Sequence, residues 1–278
     1  MTQVDLIKKY KLAIRGRLGQ HILIDPNVSR KIVQALDLKP SDLVLEIGPG
    51  LGSLTEEILG YGCQLVAVEK DPRFVEVLKQ ELKPRFGEKL ELHCADFLEF
   101  DLLRLCGSRG TGWKIISNLP YYMTAPILFR LFDHHTLFSS AVLMLQREVA
   151  RRMNGSPGTK EYGRLTLGCQ YFTRVSPVMD VRPSCFTPKP QVDSSVVVLM
   201  FLPAAEKKGG VAEKKLFDLI RVAFSQRRKT MLPLLAQSKE FGRPRRELEK
   251  ILAGLGLALN VRGEALSLDQ FIALCSAL

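Results

Sequence analysis

The sequence predicts an α/β protein, a doubly wound parallel sheet with helices on both faces, followed by a small all-helical region. Three observations carry this reading. Apolar β-branched runs alternate with helical stretches from residue 43 to residue 145, a glycine-rich turn closes the first of those runs, and apolar residues beyond residue 210 recur at helical spacing only. Taking the elements in order, Asp25-Pro26 supplies an N-cap and a first helical residue, and Val28, Ile32 and Leu36 follow at helical spacing. Strands are expected at 43–47, 64–68, 90–94, 114–117 and 141–145, with helices near 53–59, 72–82 and 125–132. Residues 107–112 read as a surface loop. After Arg152 the alternation loosens, with a turn signal in Asn154-Gly155-Ser156-Pro157-Gly158 and an extended stretch at 194–202 that adds strand to the sheet. Lys207-Lys208-Gly209-Gly210 reads as a linker, so the expected division is residues 1–205 and residues 211–278. In the second part Leu216, Ile220 and Phe224, then Leu248, Ile251, Leu252 and Leu255, then Phe271, Ile272 and Cys275 keep a helical period.

A chain of 278 residues with 46 % hydrophobic residues can bury a sizeable core, which excludes disordered, collagen-like and miniprotein classes. Its longest apolar run, 196–202, falls far short of the roughly 20 residues a bilayer crossing needs, and residues 1–9 lack a signal-peptide core. A soluble, cytoplasmic protein is expected. Six scattered cysteines with no C-x-x-C pair argue for reduced, mostly buried thiols and against a zinc site. His134-His135, after an apolar helical run, reads as surface loop, and no metal is expected.

The formal charge of +11 is unevenly placed. Residues 1–31 hold seven Lys/Arg against two Asp/Glu, residues 32–210 hold 21 against 20, and residues 211–278 hold 12 against seven. A nearly neutral body between two basic ends suits a polyanion gripped at both ends, whereas a uniformly solubilised surface would spread the excess. Neither end shows the basic amphipathic helix with large apolar anchors that a membrane surface requires. Nucleic acid is the expected partner.

The first predicted strand runs into Glu46-Ile47-Gly48-Pro49-Gly50-Leu51-Gly52-Ser53. Glycines at the carboxyl end of a strand let the backbone turn sharply and let a ligand approach the main chain. A dinucleotide fingerprint would be G-x-G-x-x-G, but Ser53 holds the place of its last glycine and the spacing is E-x-G-x-G-x-G. Glu69 ends the second strand, where a carboxylate can accept hydrogen bonds from both hydroxyls of a ribose, and Asp96, followed by Phe97, ends the third. Three carboxylates at neighbouring strand ends suit a positively charged nucleoside better than a pyrophosphate, and S-adenosylmethionine is such a ligand. A tight turn with surface acids is the plainer account of the loop alone; the three phased strand ends weigh against it.

The fourth strand runs into Asn118-Leu119-Pro120-Tyr121-Tyr122. An exocyclic amino group on a base is a poor nucleophile because its lone pair is delocalised into the ring, so it needs acceptors that hold its N–H groups while the nitrogen pyramidalises. Asn118 offers its side-chain oxygen, and Leu119 its carbonyl, since Pro120 restricts the residue before it to extended conformations. Tyr121 can stack on the base. Asn and Pro are also common turn residues, and the position at the end of strand four is what favours chemistry over a plain turn.

Together with these, Leu18-Gly19-Gln20-His21-Ile22-Leu23, Phe186-Thr187-Pro188-Lys189-Pro190-Gln191-Val192-Asp193-Ser194 and Phe224-Ser225-Gln226-Arg227-Arg228-Lys229-Thr230 give the chain a close resemblance to the ribosomal RNA small-subunit adenine dimethyltransferases, known in bacteria as KsgA or RsmA. The resemblance runs from about Leu18 to near the C-terminus. It implies a class I, Rossmann-like methyltransferase in which Gln20, His21 and Leu23 cover S-adenosylmethionine, and Glu46, Gly48 and Gly50 border its methionine end. Glu69 would bind its ribose and Asp96 its adenine amino group, with Phe97 in the same site. Asn118 would lie between cofactor and target amine, and Tyr121 and Phe186 would sandwich the flipped adenine. Phe186, set between Cys185 and a rigid Thr-Pro-Lys-Pro, is expected at a rim and not in the core. His21 departs from the family, which usually has Asn there. Arg227, Arg228 and Lys229 would contact RNA phosphates. The implied activity is successive methyl transfer to N6 of two adjacent adenines in the 3′-terminal hairpin of 16S rRNA during 30S biogenesis, by a monomer acting on the 30S pre-ribosomal particle. The alternatives are a large-subunit rRNA methyltransferase of the antibiotic-resistance type, an adenine-specific DNA methyltransferase, and a non-catalytic RNA-binding assembly factor with the same fold.

Overall fold

Thr2 opens the chain's first helix, α1 (Gln3–Lys9), with a capping box in which its side chain accepts from the Asp5 N–H and Asp5 accepts from the Thr2 N–H. A two-residue strand, β1 (Ile22–Leu23), precedes α2 (Pro26–Gln34), where the Asp25 carboxylate accepts from the Asn27 N–H at 2.9 Å, as the Asp-Pro signal predicts. The computed structural model describes every residue except 15–20, 108, 204, 205, 207–209 and 227. Gln20, Arg227 and most of the expected linker therefore lie outside the described residues.

The expected alternation forms. β2 (Leu43–Ile47), α3 (Thr55–Gly60), β3 (Gln64–Glu69), α4 (Pro72–Glu81) with the short α5 (Lys83–Phe86), β4 (Leu90–Cys94), α6 (Leu102–Gly107), β5 (Trp113–Asn118), α7 (Thr124–Asp133) and β6 (Phe138–Gln146) follow one another. α8 (Arg147–Met153) and α9 (Arg164–Phe172) come next, then β7 (Thr173–Val181), β8 (Phe186–Thr187) and β9 (Ser194–Phe201). Seven strands make one sheet in the order β4-β3-β2-β5-β6-β9-β7. The five strands from β4 to β6 are parallel, and their central members are buried along most of their length, which is why they read as nearly continuous apolar runs.

The sheet is mixed, where the alternation had implied a parallel one. β9 returns antiparallel to β6, with Ser194 opposite Gln146 and Met200 opposite Ser140. Antiparallel addition needs no crossover helix, so the chain can extend the sheet without another α/β repeat. The loosened stretch after Arg152 also contains α9, which periodicity missed because nearly every face of it is buried and no polar stripe marks it. His135 is buried and not in a surface loop; its Nδ1 lies 2.8 Å from the Phe132 carbonyl.

The chain divides into two compact units, Met1–Ala150 with Arg174–Leu202, and Arg151–Thr173 with Pro203–Leu278. The second unit thus takes in residues expected in the first. Its helices after residue 210 are α10 (Glu213–Ala223), α11 (Met231–Ala236), α12 (Arg245–Gly254) and α13 (Leu268–Ala277). Residues 151–173 join them through specific bonds: the Gly158 N–H donates to the Glu264 carbonyl at 2.8 Å, the buried Tyr162 hydroxyl donates to the Leu266 carbonyl at 2.7 Å, and Phe172 stacks on Phe217. Tyr162→Phe strips a buried carbonyl of its donor and is expected to destabilise this unit by about 1–2 kcal/mol. The check is amide exchange, which should quicken in α13 and stay unchanged in β2 and β3; equal rates in α13 would show that residues 151–173 do not hold the unit together.

Candidate active site

The parallel strands end at one cleft of 510 Å³, a size suited to a nucleoside-containing cofactor. It is lined by His21, Leu23, Glu46, Gly48, Gly50, Glu69, Asp96, Phe97, Asn118, Leu119, Pro120 and Tyr121, so every described residue assigned to the cofactor or to the Asn-Leu-Pro-Tyr segment meets there.

Glu69 organises one wall. Its Oε2 accepts from the Gly50 N–H at 3.0 Å and its Oε1 from the Asp71 N–H at 2.8 Å, while only 7 % of the residue is exposed. Gly50 turns its N–H toward Glu69 from φ +57°, and Gly48 sits at φ +67°, conformations that a side chain would strain. Each Glu69 oxygen keeps a second lone pair, enough for two hydroxyl donors. Glu46, also buried, accepts from Thr55 Oγ1 at 2.7 Å. Burial, helped by the nearby Glu69 charge, pushes the Glu46 carboxyl up to about 8, and burial raises Glu69 as well, against the backbone donors of Asp71, Gly50 and Lys70 that favour its charge. Asp96 is the opposite case. Lys70 Nζ at 2.7 Å and the Leu98 N–H hold its carboxyl below the usual range.

The Asn118 amide is oriented by the chain itself. Its Nδ2 lies 3.1 Å from the His21 carbonyl, which can only accept, so the nitrogen is the atom spent there and Oδ1 is left for a ligand. The Leu119 N–H donates to the Met144 carbonyl on β6, and the chain then turns through Tyr121–Met123 into α7. Tyr121 is half-buried, with its hydroxyl 2.9 Å from Ser194 Oγ and its ring 5.4 Å from that of His21.

Phe186 is not at the rim. It is 2 % exposed, pairs with Leu23 across the β1–β8 ladder, and packs in the core with Leu23, Ile32, Val181 and Val196. The apolar ring gains more from that core than from a half-exposed rim. Arg228 and Lys229 are exposed in the turn between α10 and α11. No group of His, Cys, Asp and Glu suited to a metal occurs among the described residues.

The model of the ribosomal RNA adenine dimethylase family matches residues 11–275. The chain belongs to this family. It is 42 % identical over 266 residues to the ribosomal RNA small subunit methyltransferase A of Geobacter metallireducens, covering 95 % of each chain. With that of Lachnoclostridium phytofermentans it shares 36 % over 270 residues, 96 % of this chain and 92 % of the relative. Among solved structures, a dimethyladenosine transferase from Plasmodium falciparum superposes with a TM-score of 0.76 at 28 % identity, over 91 % of this chain and 96 % of that one. The 23S rRNA methyltransferase ErmE gives 0.65 at 26 %, over 92 % and 99 %. The fold is that of the class I methyltransferases.

The dimethylase cleft also contains residues that motif reading passed over. Lys70 follows Glu69 at the strand end and pairs with Asp96, and Arg73 forks onto Asp71. Lys70 adjoins Glu69, and that adjacency is the one signal the sequence offers for it.

The raised Glu46 carboxyl has a consequence for stability. Between its ordinary value near 4.5 and about 8 the folded state keeps a proton that the unfolded state has released, so stability falls as pH rises through that window. The thermal midpoint of the ligand-free protein, minus that of Glu46→Gln, is expected to fall from about pH 5 to about pH 8 and then level off. A difference independent of pH would disprove the assignment.

Proposed function

We propose that this dimethylase transfers two methyl groups in succession from S-adenosylmethionine to N6 of each of two adjacent adenines in the 3′-terminal hairpin of small-subunit rRNA, acting as a cytoplasmic monomer on the 30S pre-ribosomal particle. The observation that carries the reading is the Asn118 amide, its nitrogen spent on a backbone carbonyl and its oxygen left at a cleft bordered by three carboxylates. The donor set fits the cofactor. Glu46 and Glu69 resist ionisation together, and a cationic nucleoside supplies the positive charge that lets both ionise. When bound, S-adenosylmethionine offers a methyl group on positively charged sulfur.

Glu69 holds the ribose hydroxyls, with Gly48 and Gly50 giving the ligand access to the main chain. Asp96 takes the cofactor's adenine amino group on the carboxylate that Lys70 now shares; Lys70, on the exposed side, can yield. His21, Leu23 and Phe97 close the remaining sides. The target adenine, flipped from a loop where unstacking is least costly, stacks on Tyr121 alone. Its amino group donates to Asn118 Oδ1 and the Leu119 carbonyl, which draws the lone pair out of conjugation. The nitrogen lone pair forms the N–C bond, the C–S pair returns to sulfur, and the nitrogen then sheds a proton, so no strong base is required. Catalysis is mostly positioning and electrostatics.

The small-subunit substrate is supported by relatives of 36–42 % identity bearing that name, whereas the large-subunit alternative rests on ErmE at 26 %. Methylation of under-methylated 30S particles against 23S rRNA, with the modified nucleoside identified by mass spectrometry, decides between them. No described helix is long and apolar enough to cross a membrane. The rRNA contacts are assigned to the exposed Arg228 and Lys229, with Arg227 beside them in sequence.

Asn118→Ala is expected to lower methyl transfer by at least about 100-fold, the scale of losing a preorganised polar contact, with S-adenosylmethionine affinity changed only a few-fold by calorimetry; near-normal transfer would refute the catalytic assignment. Replacing both Arg228 and Lys229 by Ala should weaken rRNA binding and reduce the slope of log affinity against log salt by about 2. Titrations at several salt concentrations test this, and an unchanged slope would remove both residues from the interface.

A further inference from the structure

With Phe186 in the core, the stretch from 186 to 194 loses the role its aromatic was expected to fill, yet both ends of it reach Tyr121. At one end the Pro188 carbonyl lies 2.7 Å from His21 Nδ1, and the His21 ring stands 5.4 Å from the Tyr121 ring at an interplanar angle of 31°. Because a carbonyl can only accept, Nδ1 carries the proton and the ring is held in one orientation. At the other end Ser194 Oγ, in a residue 1 % exposed, is 2.9 Å from Tyr121 Oη. Sheet register explains why both reach the same ring. Ile22 pairs with Thr187, which brings His21 alongside Pro188, while Ser194 opposes Gln146 at the end of β6, the strand whose Met144 opposes Asn118.

We propose that Ser194 and His21 are positioning residues that fix the tilt of Tyr121 and thereby support the second of the two methyl transfers, an inference that rests on the methyl-transfer reading above. In the first transfer the target amine has two N–H donors, and two acceptors, Asn118 Oδ1 and the Leu119 carbonyl, define the plane of the base. After it the nitrogen carries a methyl group and one N–H, so one acceptor contact is lost. The plane of the base then depends on the surface it stacks on, and Tyr121 is that surface. A tyrosine released from Ser194 can swing about its Cα–Cβ bond, which displaces the whole ring, and the once-methylated base suffers most. Phe186 cannot substitute as a second platform, because it is buried with Leu23.

The test compares Ser194→Ala, Tyr121→Phe and the double variant on under-methylated 30S particles, with mono- and dimethyladenosine quantified by mass spectrometry. S-adenosylmethionine affinity and thermal midpoint are measured alongside. Loss of one hydrogen bond of ordinary net strength corresponds to about fivefold in rate. Each single variant should therefore raise the ratio of mono- to dimethyladenosine by about fivefold, and the double variant no further than the larger single effect, because both remove the same bond. His21→Ala should move the ratio in the same direction. A destabilised but otherwise intact enzyme would lose both transfers in proportion and leave the ratio unmoved, and that result, or additive effects in the double variant, overturns the proposal. Failure of the underlying reading looks different: Asn118→Ala would retain both transfers, and this proposal would fall with it.

Discussion

A carboxylate that water scarcely reaches, Glu69, governs the shape of the cleft. Burying it is costly unless both oxygens find donors, and the two donors it finds are backbone N–H groups of Gly50 and Asp71. The first requires the loop after β2 to fold back across the end of β3, which the parallel register of those strands permits and the left-handed backbone at Gly50 completes. The second fixes the residue whose own carboxylate accepts from the Arg73 N–H and starts α4. One buried group thus ties together a loop, a strand end and a helix start. The glycine spacing, the acid at the strand end and the Asp-Pro helix signal, which look like three motifs in the sequence, are parts of one hydrogen-bonded unit.

The same burial gives the cleft its electrical character. Glu46 and Glu69 are both driven toward the protonated form, whereas Asp96, nearer to solvent and paired with Lys70, is driven toward the ionised one. The cleft therefore holds more acid than it can ionise alone, which is the condition under which a cationic ligand is favoured over a neutral or anionic one. Several basic residues of the first unit pair with acids: Arg73 with Asp71, Lys114 with Asp42, Arg147 with Asp193, and Lys9 of the N-terminal arm with Glu81. Such surface pairs stabilise little, but they neutralise. Residues 32–210 hold 21 Lys/Arg against 20 Asp/Glu, and Arg228 and Lys229, exposed in their turn, belong to the excess outside that stretch.

Much of this was legible because the signals were local. A strand inside a parallel sheet is apolar throughout, a helix start advertises its cap, and the acid at a strand end keeps its meaning wherever the strand lies. The bounds of β2 and β4 were read correctly to the residue. What sequence could not supply was non-local or lacked contrast. α9 is buried on nearly all sides and so has no period to detect, and the grouping of residues 151–173 with the later helices depends on bonds such as Tyr162 to Leu266 that span more than a hundred positions. The antiparallel return of β9 was visible as a strand but not in its direction, because apolar content says nothing about polarity.

Phe186 departs most from expectation: the segment it opens meets His21 through the Pro188 carbonyl, but its own ring faces the core. In the β1–β8 ladder successive residues face opposite ways, so that Leu23 and Phe186 enter the large core while Ile22, beside them, joins the smaller cluster that includes Leu51 and Phe74. A shift of one position along a strand exchanges its faces, and a rigid proline-rich flank limits how the chain runs without deciding which side chain faces the ligand. The correction changes the chemistry. Of the two aromatics expected to sandwich an adenine, only Tyr121 lines the cleft, while Phe186 is buried in the core. Under the proposed transfer, one platform in place of two leaves more of the alignment to the hydrogen-bond acceptors at Asn118 and Leu119 and to the groups that hold Tyr121 still. The Tyr121 hydroxyl and its buried partner Ser194 therefore carry the proposed alignment as well as the packing.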